Sequence, residues 1–201
     1  MVIRHVLLDA DGVVQDLPGG WQAALAPWVP EPEALFARLA ADEEACIRGE
    51  GPFMPVLARH LQALGVNAAA HDVYDAVWSS IEAVPAVLGL VERLRNAGVG
   101  VHLVTNQNPE RAAYMREHLG YDAVFDSAYY SCEIGLAKPD LAFFEHVLSD
   151  LGAPGEQVLF IDDSLRNVEG ARVAGVAAEH WHHRTGTPAL VDLLVGHGIS
   201  A

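Results

Sequence analysis

Three short apolar runs, HVLLD at 5–9, VHLVT at 101–105 and VLFID at 158–162, each end in a carboxylate or a hydroxyl. Branched aliphatic runs without polar alternation suit strands buried on both faces, as in a parallel sheet covered by helices. Weaker runs of the same kind lie at 127–131 (SAYYS) and 177–181 (AAEHW). Helical patterns separate most of them. Residues 85–97 place Val87, Leu88, Val91 and Leu94 on one face, with Gly98 as a stop, and 109–119, 141–151 and 164–174 behave alike. This alternation predicts an α/β fold, a doubly wound Rossmann-like parallel sheet with helices on both faces.

Between Asp16 and Val84 the pattern becomes helical throughout, with spans expected at 31–44, 52–64 and 71–83 and no strand among them. Turn-rich DLPGG leads in, and AVPAV leads out with a proline suited to a helix start. The expected organisation is an α/β core of residues 1–15 and 85–201 with a small all-helical unit, 16–84, inserted after the first strand. A chain of 201 residues with 51% hydrophobic content has enough apolar surface for a substantial core. A formal net charge of −15 argues against nucleic acid or an anionic membrane surface as a partner, since both reward a basic face. The start of the sequence shows no secretory pattern, no apolar run approaches a membrane span, and Cys46 and Cys132 lack ligand spacing. A reduced, cytoplasmic protein is expected, with its oligomeric state open.

Ligands of doubly wound sheets bind beyond the carboxyl ends of the strands. Asp9, Thr105, Asp162 and Asp163 all fall at such ends. Residues two apart in extended chain point the same way, so Asp9 and Asp11 are expected to aim at one volume. Asp163 brought to the same place would be repelled unless a cation intervened, and magnesium, a hard ion tolerant of an open hydrated site, suits oxygen donors there. Asp163 with Ser164 also reads as a helix cap, and Thr105 with Asn106 as an ordinary turn. Lys138, in LAKPD, is the sole lysine of a chain whose 12 basic residues are otherwise arginine, which marks a position that wants a compact ammonium. HWHH at 180–183 reads as a loop of solvated histidines rather than a zinc site.

Taken in order, D-x-D-G-V at 9–13, V-T-N at 104–106, A-K-P-D at 137–140 and F-I-D-D-S at 160–164 resemble the four motifs of the haloacid-dehalogenase-like hydrolase superfamily, with the helical insertion where that family places its type-one cap. Residues 131–148 and 160–172, and IRGEG at 47–51, are similar to the branch holding glucose-1-phosphate phosphatases and the phosphatase domain of soluble epoxide hydrolases. The resemblance implies a magnesium-dependent phosphomonoester hydrolase acting on a small phosphorylated metabolite. Asp9 would be the nucleophile that forms an aspartyl-phosphate, and Asp11 the acid and base. Thr105, Asn106 and Lys138 would hold the phosphoryl oxygens. The ion would be held by Asp9, the Asp11 main-chain carbonyl and one of Asp162 and Asp163, with Asp163 favoured as direct ligand. Asn167, one helical turn on, is a candidate to orient water or to cap the helix. A sugar phosphomutase on the same core, or a non-catalytic sugar-phosphate-binding protein, is the alternative; retention of Asp11 argues against a dehalogenase and against a mere binder. Trp21, Trp28, Arg48, Arg59, His60 and Trp78 are the insertion's possible substrate contacts, with PGGW at 18–21 the foremost.

Overall fold

A computed structural model describes residues 2–200. Five strands form one sheet in the order β5-β4-β1-β6-β7: β1 (His5–Leu8), β4 (Gly100–Thr105), β5 (Ser127–Tyr130), β6 (Val158–Asp162) and β7 (Ala177–His180). Every pairing in it is parallel. The sheet is thus the helix-covered α/β type that the apolar runs call for. Side chains alternate between two cores, as period-two geometry requires. Leu7, Val104 and Phe160 pack with Phe143, Phe144 and Val147 of α9 (Leu141–Leu151) and Val168 and Ala171 of α10 (Leu165–Val173). Val6, Leu8, Leu103 and Ile161 face the opposite core, which takes in Val87, Leu90 and Leu94 of α5 (Pro85–Asn96) and Leu190 and Leu194 of α11 (Thr187–Gly196).

The stretch between the first strand and α5 departs from expectation at both of its ends, where a short first helix was not foreseen and the last helix is shorter. It holds α1 (Trp21–Leu25), α2 (Pro32–Ile47), α3 (Met54–Ala63) and α4 (Ala70–Val77), but α4 stops well short of 83. There β3 (Glu82–Ala83) pairs antiparallel with β2 (Gln15–Asp16), so a two-stranded ribbon joins the ends of the helical stretch. Residues after β4 make α6 (Pro109–Glu117), α7 (Tyr121–Val124) and α8 (Ser131–Ile134). Asn108 caps α6, its side chain accepting from the Arg111 amide at 3.0 Å, and Pro109 occupies the first turn where its missing N–H costs nothing. Among the described residues no helix is long and apolar enough to cross a membrane.

Several contacts tie the helical stretch to the sheet side of the molecule. Both carboxylate oxygens of Glu110, on α6, accept backbone N–H bonds from Phe53 and Met54 at 2.9 and 3.0 Å. Arg48 reaches Asp140 at 3.0 Å. Gly49 lies so close to the Cys132 carbonyl that a Cβ there would stand 2.1 Å from the oxygen, and its φ is +75°. Only glycine fits that approach.

Candidate active site

Asp9 follows β1 directly, and its amide donates to the Ile161 carbonyl at 3.0 Å, so the parallel ladder seats it beside the end of β6. There it meets Asp162, the last residue of β6, and Asp163: one carboxylate oxygen from each lies within 4.8 Å of the others. The Lys138 ammonium joins them at 2.7 Å from Asp9 Oδ1 and 2.7 Å from Asp162 Oδ2. Three clustered carboxylates are thus met by one buried ammonium, which touches two of them. Burial and then the Asp162 charge push the Asp9 carboxyl up, while Lys138 pulls it down. Burial and the Asp162 charge also push Asp163 up to about 6. An all-oxygen cluster with this surplus of negative charge fits a hard divalent cation.

The adjacent aspartates are not equivalent. Asp162 is wholly buried and saturated: Oδ1 accepts from the Ser164 amide at 2.7 Å and from Asn167 Nδ2 at 3.1 Å, and Oδ2 from Lys138 Nζ and Asn167. Asp163 points its carboxylate toward the loop after β1, where a Cβ on Gly12 would come within 2.4 Å of its Oδ2. Gly12 has φ +73°, so the turn and the close approach both require glycine. Its carbonyl accepts from the His183 amide at 2.8 Å, which docks the histidine-rich segment beneath the site. The imidazoles there do not converge: His180 Nε2 bonds the Asp163 carbonyl at 2.7 Å, whereas His183 Nε2 lies 2.9 Å from Asp16.

Asp11 is not one of the three clustered carboxylates, although its charge still pushes the Asp9 carboxyl up. The chain has left extended geometry after Leu8, with the Val13, Val14 and Gln15 amides all folded back on the Ala10 carbonyl. The Asp11 carboxylate turns instead into the fork of Arg111, at 2.6 Å to Nη1 and 2.7 Å to Nη2. Gln15 Nε2 and Gln107 Nε2 add bonds at 3.0 and 2.9 Å. Burial pushes this carboxyl up, but the Arg111 charge and the surrounding bonds outweigh it and hold Asp11 below the ordinary range. Gln107 Nε2 also donates to Thr105 Oγ1 at 3.0 Å, linking Asp11 to the end of β4. Asn106 spends its side chain on the Lys138 loop, donating to the Lys138 carbonyl at 2.8 Å and accepting from its amide at 2.9 Å. Its backbone is what remains for a ligand.

Sequence reasoning missed Arg111, Gln107, Gln15 and Glu110. No local signal set Arg111 apart from the chain's ten other arginines.

Above these groups lies a cavity of about 620 Å³. Trp21, Phe36, Ile47 and Trp78 line it with Glu43, and Asn106, Gln107 and Arg111 form its boundary with the charged site. Trp21 and Trp78 thus stand where substrate contacts were expected. The other four candidates do not: Trp28 is half-buried against the core, Arg48 pairs with Glu44 and Asp140, and Arg59 and His60 both engage Asp42.

Comparison with known proteins bears on this geometry. A family model described as haloacid dehalogenase-like hydrolase matches residues 3–175. The sesquiterpene phosphatase astK of Aspergillus oryzae is 34% identical over 108 residues, 53% of this chain and 55% of that protein, so the match spans about half the relative's length. The phosphoserine phosphatase of Thermus thermophilus is 30% identical over 175 residues, 82% of this chain and 70% of that protein. In fold, a HAD family enzyme of Bacteroides thetaiotaomicron superposes with a TM-score of 0.78 at 21% identity, covering 90% of this chain and 94% of that one. The same enzyme, solved with magnesium and inorganic phosphate, gives 0.75, with 21% identity and 89% and 93% covered. Since the family match runs from the first strand past the last carboxylate of the cluster, the chain belongs to the haloacid dehalogenase-like hydrolases.

Proposed function

We propose that the chain is a magnesium-dependent phosphomonoester hydrolase working through a phosphorylated Asp9. The observation that carries this reading is the cluster of Asp9, Asp162 and Asp163 around the buried Lys138 ammonium at the carboxyl ends of β1 and β6. Names of relatives support it: a sesquiterpene phosphatase and a phosphoserine phosphatase share the sequence, and the fold neighbour is one solved with magnesium and phosphate. Asp9, Asp163 and the Asp11 main-chain carbonyl would hold the ion, with Asp162 occupied in fixing Lys138 and Asn167. Bound there, magnesium neutralises phosphoryl charge and orients the group for in-line attack.

An Asp9 oxygen attacks phosphorus while the bond to the ester oxygen breaks, which divides one hard displacement into two easier ones. Lys138, the Thr105 hydroxyl and the Asn106 amide meet charge on the equatorial oxygens. Asp11 gives a proton to the departing alkoxide and takes one from the water that later frees phosphate. Held in the Arg111 fork, Asp11 is ionised and ready for the second task; for the first it must leave the fork and take up a proton from solvent. Residues 16–84 serve as a cap over the site. The narrower likeness to the glucose-1-phosphate phosphatase and epoxide hydrolase branch rests on residues 131–148 and 160–172 and on IRGEG at 47–51.

Phosphate release from acetyl phosphate and a panel of phosphomonoesters tests the reading. Excess chelator should abolish release and added magnesium restore it, and Asp9→Asn should be inactive with its circular dichroism unchanged. Oxygen-18 from solvent should appear in Asp9 after repeated turnover. Full activity in chelator, or unlabelled Asp9 in an active enzyme, overturns the assignment.

A further inference from the structure

The cavity beside the site constrains what is esterified to the phosphate. Its wall is a continuous aromatic surface: Trp21 meets Phe36 edge-on with centroids 6.4 Å apart, Trp21 lies 6.2 Å from Trp78, and Phe36 6.4 Å from Trp78. The wall is built in advance of any ligand, because Trp78 is stacked on Tyr74 at 5.8 Å and packed on Phe53 at 5.1 Å. Phe36, Glu43 and Ile47 come from one helix at spacings of seven and four residues, so α2 presents that face to the cavity. A volume of about 620 Å³ lies within the range of small-molecule sites.

The amide and guanidinium side chains of the lining are already engaged. Arg111 is the only basic side chain in it among the described residues. Both of its terminal nitrogens bond Asp11, Nε donates to the Trp78 carbonyl at 3.2 Å, and Trp21 covers the guanidinium face at 4.8 Å. Gln107 is engaged by Asp11 and Thr105, Asn106 by the Lys138 loop, and Asn108 by the Arg111 amide. Gln22 donates to Glu33 at 3.1 Å. A carboxylate or a second phosphate entering here finds no free cation and meets the Glu43 carboxyl. A polyol finds no set of free donors and acceptors to replace its water.

Resting on the hydrolase reading above, we propose that the substrate's leaving group is an uncharged, apolar, ring-bearing or branched alcohol, held against Trp21, Phe36 and Trp78. The Glu43 carboxyl, which lies beside Arg111, Asn108 and Trp78, accommodates at most one hydroxyl. Sugars, amino acids, carboxylates and nucleotides are disfavoured.

The test compares benzyl and cyclohexylmethyl phosphate with glucose 6-phosphate, O-phosphoserine and phosphoglycolate, all primary alkoxides, so differences in kcat/KM report the pocket rather than the ease of departure. The apolar pair should exceed the others by about 10-fold or more, the usual worth of a filled hydrophobic pocket. Trp21→Ala should cut kcat/KM for benzyl phosphate about 10-fold more than for acetyl phosphate, mainly through KM. Benzyl alcohol alone should also shift the tryptophan fluorescence of wild type at lower concentration than of Trp21→Ala, a readout that needs no turnover. Equal or better use of the charged or polyol esters, or an equal effect of Trp21→Ala on both substrates, overturns the pocket assignment while leaving the hydrolase intact. Failure to hydrolyse even acetyl phosphate with magnesium removes the hydrolase reading and this one with it.

Discussion

The Lys138 ammonium has one oxygen of Asp9 and one of Asp162 at 2.7 Å each, and its side chain is 1% exposed. Burial lowers its pKa, but the Asp162 and Asp9 charges outweigh burial and hold the ammonium above its ordinary range. The position therefore selects for a compact charge, whereas Asp11 is met by the planar fork of Arg111, which matches both carboxylate oxygens at once. Lys138→Arg keeps the charge and changes its shape, so it should displace Asp9 or the phosphoryl group. A shift of about 1 Å costs on the order of 10²-fold, and kcat/KM should fall by about that much. Overpacking should also lower stability by about 1–3 kcal/mol, read from urea unfolding. A variant within about threefold of wild type would show that the ammonium does not touch the reacting group. The lysine was legible in the sequence because it is the chain's only one. Arg111 was not, because it is one arginine among many, and its partner Asp11 was expected to point elsewhere.

Where elements meet, Glu110 joins two of them: α6 supplies the carboxylate, and the backbone N–H groups of Phe53 and Met54 at the start of α3 donate to it. The first turn of a helix carries unpaired amides, and an anion there satisfies them and favours the dipole. Glu110→Ala should destabilise the protein by about 1–2 kcal/mol. Hydrogen exchange at Phe53 and Met54 should accelerate while β1 and β6 stay protected; unchanged exchange at those two amides would mean that the bond does not hold α3. Such a contact spans 57 residues of sequence and leaves no local trace. The strands of the sheet did leave one, since burial on both faces demands runs such as VLFI at 158–161. By contrast, β3 pairs only Glu82 and Ala83, too short to show alternation, and so 71–83 reads as a single helix that in fact ends at Val77. α11 went unseen for the opposite reason: LVDLLV at 190–195 is apolar almost all round and shows no clear face.

On the scale of the whole molecule, stability depends on a histidine far from the site. His102 in the middle of β4 is 4% exposed; its Nε2 pairs with His5 Nδ1 on β1 at 3.1 Å, and its Nδ1 is buried without a partner. Burial, then the His5 charge, lower its pKa to about 4 from 6.5. The unfolded chain therefore binds a proton between pH 6.5 and 4 that the folded chain refuses, and stability contributed by neutral His102 is complete above pH 6.5 and lost progressively toward pH 4. At about 1.4 kcal/mol per unit, the loss across that window is about 3 kcal/mol. Asp163 works in the other direction: its folded pKa of about 6 lies above the ordinary 3.8, so protonation between those values favours the folded chain. The two opposing contributions make the wild-type curve alone ambiguous. Subtracting His102→Gln at each pH cancels the acid contribution, since the substitution lies far from Asp163 in the sheet and leaves the cluster intact. Urea unfolding of both proteins from pH 7.5 to 4.5 should show the variant gaining about 2–3 kcal/mol relative to wild type as pH falls. Parallel curves would mean that His102 takes up its proton within the folded sheet.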